Sequence, residues 1–293
     1  MVKYYLYWVI NVTTKSNVHG AISIVNALAT GKGSALGISL ETTAEVLLTS
    51  ENNVEVVINN DKSEDTNLAR ECFKLIQDHS SESCGAKISV NSDIPIGRGL
   101  KSSSAAASAI VLSCLKAFDL TMNQNEILDL SVQASKNAGV TITGALDDTA
   151  ACLLGGLVVT DNSSNSLLSR KIVDDDYSIL LHVPEHKNYT RDVDLSNSDK
   201  FEESIDAIIS MALNGNYLNA MSLNGMIFSK ILKQSDAASI LALKSNALSA
   251  GLSGTGPSVA AICNSDTKSS IIDSWKSLDG DIITAKINNA EGL

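Results

Sequence analysis

A fold mixing helices and strands in two domains that share a cleft, class α+β, is what this sequence predicts, on three observations. The chain has 293 residues, more than one ordinary domain needs, although length alone also admits a single large α/β unit. Strand and helix patterns occur in both halves of the chain. Residues 161–170 form a polar segment rich in Ser and Asn, and the domain change is placed there, giving domains 1–160 and 161–293.

The elements follow in order. The apolar, aromatic-rich run 4–10 reads as a first strand; no small-residue cleavage pattern of a signal peptide follows it. Residues 45–48 and 54–58 flank the polar turn Ser50-Glu51-Asn52-Asn53 and read as a hairpin. From 67 to 78, Leu68, Cys72, Leu75 and Ile76 keep helical spacing, and Ile88 and Val90 alternate with polar neighbours as in a strand entering Pro95. Residues 102–118 read as a buried helix opening directly after a glycine-rich turn. A helix over 125–137 ends at Gly139, and a small-residue stretch, 141–151, runs toward Gly155-Gly156. Beyond lie strands at 157–160 and 178–183, helices near 201–213, 217–232 and 236–250, and a final strand-helix-strand run at 258–263, 268–278 and 281–287.

Composition removes several function classes. Hydrophobic residues make up 44% and charged residues 19%, which excludes disorder, collagen-like repeats and a coiled coil. The 22 Lys+Arg against 33 Asp+Glu leave a net charge of -11, so the electrostatic excess of a nucleic-acid binder is missing. No apolar stretch approaches the roughly 20 residues that cross a bilayer, and no membrane partner is expected. Cys72, Cys84, Cys114, Cys152 and Cys263 are scattered, without a CxxC pair, and are expected to be reduced core residues of a cytoplasmic protein.

Chemistry concentrates in Pro95-Ile96-Gly97-Arg98-Gly99-Leu100-Lys101-Ser102-Ser103-Ser104-Ala105. Gly97 and Gly99 admit positive φ and clear side chains from a surface that a bulky anion would approach. The helix start at Ser102 offers unpaired N–H groups and a positive dipole end, the serines add hydroxyls or a Mg²⁺ ligand, and Lys101 adds a full charge. A serine-capped buried helix after an ordinary turn accounts for the same residues, so context has to decide. The string is neither a Walker A loop nor a Rossmann GxGxxG.

It does resemble PxxxGLGSSAA, the phosphate-binding motif of the GHMP kinase superfamily, with Lys101 where that superfamily usually has Gly and Ser104 where it usually has Ala. GLKSSSA resembles the archaeal type of shikimate kinase within it. Gly251-Leu252-Ser253-Gly254-Thr255-Gly256-Pro257-Ser258 resembles the superfamily's third motif, which closes over phosphates and substrate. His19-Gly20-Ala21 and the string 26–33 resemble the opening of the archaeal enzymes. In residues 143–156 two adjacent acids precede Gly155-Gly156; an ungapped register puts Asp148 at the catalytic base, and a slip of one residue gives that role to Asp147. The Glu that holds Mg²⁺ in mevalonate and homoserine kinases has no counterpart in Ser135-Lys136-Asn137-Ala138-Gly139, where only Glu126 and Asp129 lie nearby.

The resemblance implies an N-terminal ribosomal-protein-S5-like domain and a C-terminal ferredoxin-like domain, ATP and Mg²⁺ as cofactors, and shikimate as acceptor. It implies that residues 95–105 bind ATP, that Ser103 is a candidate metal ligand, and that Asp147, Gly254, Thr255 and Gly256 close on the substrate. Tyr189-Thr190-Arg191 resembles a substrate-side segment, with Arg191 facing the substrate carboxylate; a polar surface loop accounts for it equally. Homoserine kinase is the alternative within the class, and a GHMP-fold binding protein without turnover the alternative outside it.

Overall fold

A computed structural model describes residues 12–61, 64–188, 194–196 and 198–293. The strand expected at 4–10 and the segment 189–191, Arg191 included, lie outside the described residues.

The first sheet is built around one long strand. β1 (Thr14–Val25) pairs antiparallel along β2 (Lys32–Thr49), whose first part also pairs with β5 (Leu157–Asp161) and whose last part pairs with β4 (Gly85–Ser92). β3 (Val54–Ile58) lies outside β4 and β6 (Ser166–Lys171) outside β5. Residues 45–48 and 54–58 are therefore strand segments but not a hairpin, which corrects the sequence reading. β4 stands between them, and β3 pairs with β4 in parallel. A parallel pair needs a long crossover, and α1 (Asn67–Ser80) supplies it, burying Ala69, Cys72, Phe73 and Ile76 at helical spacing.

Helix α2 (Ser102–Ala117) is buried on nearly all sides and packs on β1 and β2, flanked by α1, α3 (Gln124–Asn137) and α4 (Leu146–Leu154). Asn123 and Glu126 form a capping box at the start of α3, and Asp129 accepts from Asn165 Nδ2. Both acids that precede the stretch 135–139 are thus engaged in structural contacts. The small-residue stretch 141–151 runs into a helix that carries both adjacent acids in its first turn.

The hairpin β5–β6 spans residue 161 with both strands in the first sheet, and the chain reaches the second sheet through residues 172–177. There β7 (Ser178–Val183), β8 (Ser249–Leu252), β9 (Val259–Cys263) and β10 (Asp281–Lys286) take the antiparallel order β10-β7-β9-β8. That is the order of a ferredoxin-like split βαβ fold. Its helices are α5 (Glu202–Leu213), α6 (Tyr217–Ile231), α7 (Ala237–Lys244) and α8 (Ser265–Trp275). The helix expected over 236–250 stops at Lys244, because Ser249 onward joins the sheet and its hydrogen-bond ladder with β9 displaces helical bonding.

One apolar core runs through both sheets, and a smaller cluster around Trp275 and Ala242 lies under α7 and α8. Ile38 of β2 bridges to Ile287 beyond β10, tying the two sheets together at one end. All five cysteines are free and buried. Among the described residues no helix is long and apolar enough to cross a membrane.

Candidate active site

The site grows out of the turn between β4 and α2. Gly97, Gly99 and Lys101 all take left-handed backbone with φ of 68°, 78° and 67°, and this chain reversal aims the N-terminus of α2 at a cavity of about 510 Å³. Gly99 is required twice over. Besides its positive φ, a Cβ there would lie 2.1 Å from the Ser253 carbonyl oxygen.

That contact brings the C-terminal glycine loop onto the phosphate-type loop. Ser253 Oγ donates to the Gly99 carbonyl at 2.8 Å and accepts from Ser23 N–H at 3.1 Å. Ser23 Oγ in turn accepts from Gly254 N–H at 3.0 Å, and Asn26 Nδ2 donates to the Gly254 carbonyl at 2.9 Å. Ser258 N–H reaches the Arg98 carbonyl at 3.2 Å. Loops separated by more than 150 residues thus share one backbone network with the end of β1.

Helix α4 supplies the acids. It opens from Ala145, another left-handed residue with φ of 52°, which puts Asp147 and Asp148 in its first turn where the helix dipole favours negative charge. Lys101 Nζ lies 2.8 Å from Asp148 Oδ1, with the two side chains 7% and 18% exposed, so this pair is largely desolvated. Asp147 is only 4% exposed. Burial pushes its carboxyl up to about 7, the neighbouring Asp148 charge adds to the rise, and the Lys101 ammonium and a hydrogen bond from Asn162 oppose it. Burial alone would lower the Lys101 ammonium, but the Asp148 and Asp147 charges outweigh it and hold its value above the usual lysine range. One cation therefore serves two carboxylates.

Most of the residues singled out in the sequence converge here. Ile96, Gly97, Gly99, Lys101 and the serines 102–104 line the cavity on one side, with Asp147, Asp148, Gly254 and Thr255 on the other. Pro95, Arg98, Leu100, Ala105 and Gly256 do not line it. Leu100 and Ala105 are buried in the core, the Arg98 guanidinium turns to the Glu185 carbonyl, and Gly256 packs against Leu252. The cavity also has an apolar part, lined by Ile58, Leu68, Val90 and Ile110, that suits a flat heterocycle. Glu64 and Lys187, 3.1 Å apart, stand at its edge.

Sequence reasoning missed Ser23, Asn162 and Asn188 as site residues and took Asn26 only as part of a string. Asn188 donates from its backbone to the Gly97 carbonyl at 2.8 Å and from its side chain to the Thr255 carbonyl at 2.7 Å. Nothing in a single Ser or Asn marks such a role; it exists only once the loops meet.

Comparison with known proteins agrees with this geometry. The family model for the GHMP kinases N terminal domain matches residues 67–156, and that for the GHMP kinases C terminal matches residues 203–279. A protein named shikimate kinase from Methanothrix thermoacetophila is 39% identical over 94% of this chain and 93% of its own length. Another from Methanosarcina mazei is 38% identical over 94% of each. In fold, the crystal structure of the Methanococcus jannaschii mevalonate kinase matches with a TM-score of 0.77 at 17% identity, covering 95% of this chain and 99% of that one. That of homoserine kinase from Cytophaga hutchinsonii matches with 0.76 at 17% identity, covering 94% and 96%. A glycine-serine loop opening a buried helix, an acid pair on a second helix and a late glycine loop thus meet in one cavity of a chain whose two halves both match; the protein belongs to the GHMP kinases.

Proposed function

We propose that the protein transfers the γ-phosphoryl group of ATP to a hydroxyl of shikimate, giving shikimate 3-phosphate and ADP. The observation that carries this reading is the 2.8 Å pair between Lys101 of the phosphate-type loop and Asp148 of α4 inside the shared cavity. It puts an anion-binding loop and a proton acceptor within reach of one reacting centre. The names of the relatives at 35–39% identity supply the acceptor; homoserine kinase enters only through a fold likeness at 17% identity.

Phosphoryl transfer demands positioning and charge neutralisation more than covalent chemistry. The adenine fits the apolar part, and the start of α2 with its serines and Lys101 faces the β- and γ-phosphates. The acceptor oxygen attacks phosphorus, the bond to the ADP oxygen breaks, and the hydroxyl proton passes to Asp148. Lys101, held between Asp148 and the phosphates, keeps Asp148 aimed before transfer and offsets charge as it moves to ADP.

A divalent ion fits the donors present. The Ser103 hydroxyl and the Asp147 carboxylate are hard oxygen ligands on the cavity wall, and the buried Asp147, with its carboxyl raised to about 7, has cationic help among the described residues only from the lysine paired to its neighbour. Mg²⁺ held there would neutralise phosphate charge. Ser135, in the stretch 135–139 that lacks such a Glu, lines the cavity but spends its hydroxyl on the Ser131 carbonyl.

Steady-state kinetics with ATP and Mg²⁺ test the reading: shikimate-dependent ADP release is expected, and its absence in a folded, ATP-binding protein would sink it.

A further inference from the structure

We propose that Asn162 is a positioning residue that holds the Asp147 carboxylate and the first turn of α4 in the orientation used for phosphoryl transfer. The inference rests on the kinase reading above and adds a residue that lies off the cavity wall.

Asn162 sits in the turn after β5 and is 5% exposed. Its amide is fully committed. Nδ2 donates to Asp147 Oδ1 at 2.9 Å and to Thr143 Oγ1 at 3.2 Å, while Oδ1 accepts from the Thr160 hydroxyl at 2.7 Å. The Asp147 bond settles which way the amide faces, because the flipped amide would aim its oxygen at a carboxylate, whereas the Thr160 hydroxyl can donate or accept. Thr143 Oγ1 also accepts from Ala145 N–H at 3.3 Å, so the same network reaches the left-handed residue from which α4 starts. The turn itself is anchored by Asn162 N–H donating to the Gly31 carbonyl at 2.8 Å.

Asp147 therefore lies in a slot with two walls. Asn162 grips Oδ1 on one side. On the other, Gly33 leaves the space that Oδ2 fills, since a Cβ there would come within 2.3 Å of that oxygen. Gly33 belongs to β2 and Asn162 directly follows β5, so both walls are tied to the first sheet. A group that orients a functional carboxylate from behind is typically worth 10–100-fold in activity or metal affinity.

The test is Asn162→Ala, Asn162→Asp and Thr160→Val alongside wild type, with turnover, KM for ATP, thermal midpoint and amide hydrogen exchange of residues 145–148. Asn162→Ala is expected to lower kcat about 10–100-fold with KM for ATP within about threefold, and Thr160→Val less. Asn162→Asp, nearly the same shape, is expected to be the slowest at pH 8, because it sets a carboxylate against Asp147. Exchange at 145–148 is expected to rise about tenfold in Asn162→Ala. Near-wild-type kcat in Asn162→Asp, or losses confined to KM for ATP, would overturn the proposal. If Asn162→Ala does not fold, Thr160→Val with wild-type kcat and exchange overturns it. An inactive wild type strikes instead at the shikimate reading, and the exchange result still decides on Asn162.

Discussion

At the scale of the single residue, the account depends on two neighbouring acids with different surroundings. Asp148 pairs with Lys101 at the cavity, whereas Asp147, also on the cavity wall, is held by Asn162. Asp148→Asn keeps the volume but removes the proton acceptor and the charge, so turnover is expected to fall on the order of 10²–10⁴-fold with ATP binding nearly unchanged. Asp147→Asn is expected to raise the Mg²⁺ requirement instead, and a Mg²⁺ titration of both variants separates the roles. Lys101→Ala is expected to raise KM for ATP and to lower turnover as well, because the same ammonium faces the phosphates and Asp148. Its thermal midpoint is expected to fall, since alanine keeps the left-handed backbone strain and leaves Asp148 beside Asp147 without the cation that paired with it. Much of this was legible: the two glycine loops and the acid pair stand in the sequence as strings. The pairing of Lys101 with Asp148 across 47 positions and the use of Asn162 were not, because a string records residue types and not which chains of hydrogen bonds close in space.

Elements were legible where periodicity is strong and local. The helical spacing in α1, the glycine stop after α3 and the apolar run of β9 agree with their sequence patterns. The hairpin reading failed because a turn signal says that the chain reverses, not which strand becomes its neighbour; β4 arrives 27 residues after β3 and takes the place between. The β1–β2 pair went unread because its glycines and serines dilute the β-branched signal. Packing between elements also sets the sign of substitutions. Gly225 lies inside α6, where alanine would ordinarily improve helix propensity by up to about 1 kcal/mol. Here a Cβ would come within 2.4 Å of Gly251 Cα on β8, and backbone has to give way. Gly225→Ala is therefore expected to destabilise by about 1–3 kcal/mol, read by urea unfolding; an increase in stability would mean that α6 is free to lift from the sheet.

The whole molecule works as two sheets closed on one core, with the reactive loops held where they meet. The second sheet carries a pH sensitivity of its own. His182 on β7 is buried beside Trp275, ring centroids 5.7 Å apart, and burial holds its imidazole below the usual histidine value of 6.5. A histidine with a depressed folded value contributes fully above its unfolded value, and that stability is lost as pH falls from about 6.5 toward the folded value. Thermal midpoints between pH 7.5 and 5.5 are expected to fall more steeply for wild type than for His182→Gln, and parallel slopes would contradict this. The polar run 161–170, where the domain change was expected, holds the turn of the β5–β6 hairpin and most of β6, and both strands belong to the first sheet.

The central claim is the reaction itself, and a coupled ADP-release assay on the wild-type protein with ATP, Mg²⁺ and either shikimate or homoserine tests it most directly. The account predicts steady turnover with shikimate and a kcat/KM for homoserine on the order of 10²-fold lower or less. Turnover with homoserine and none with shikimate would contradict it.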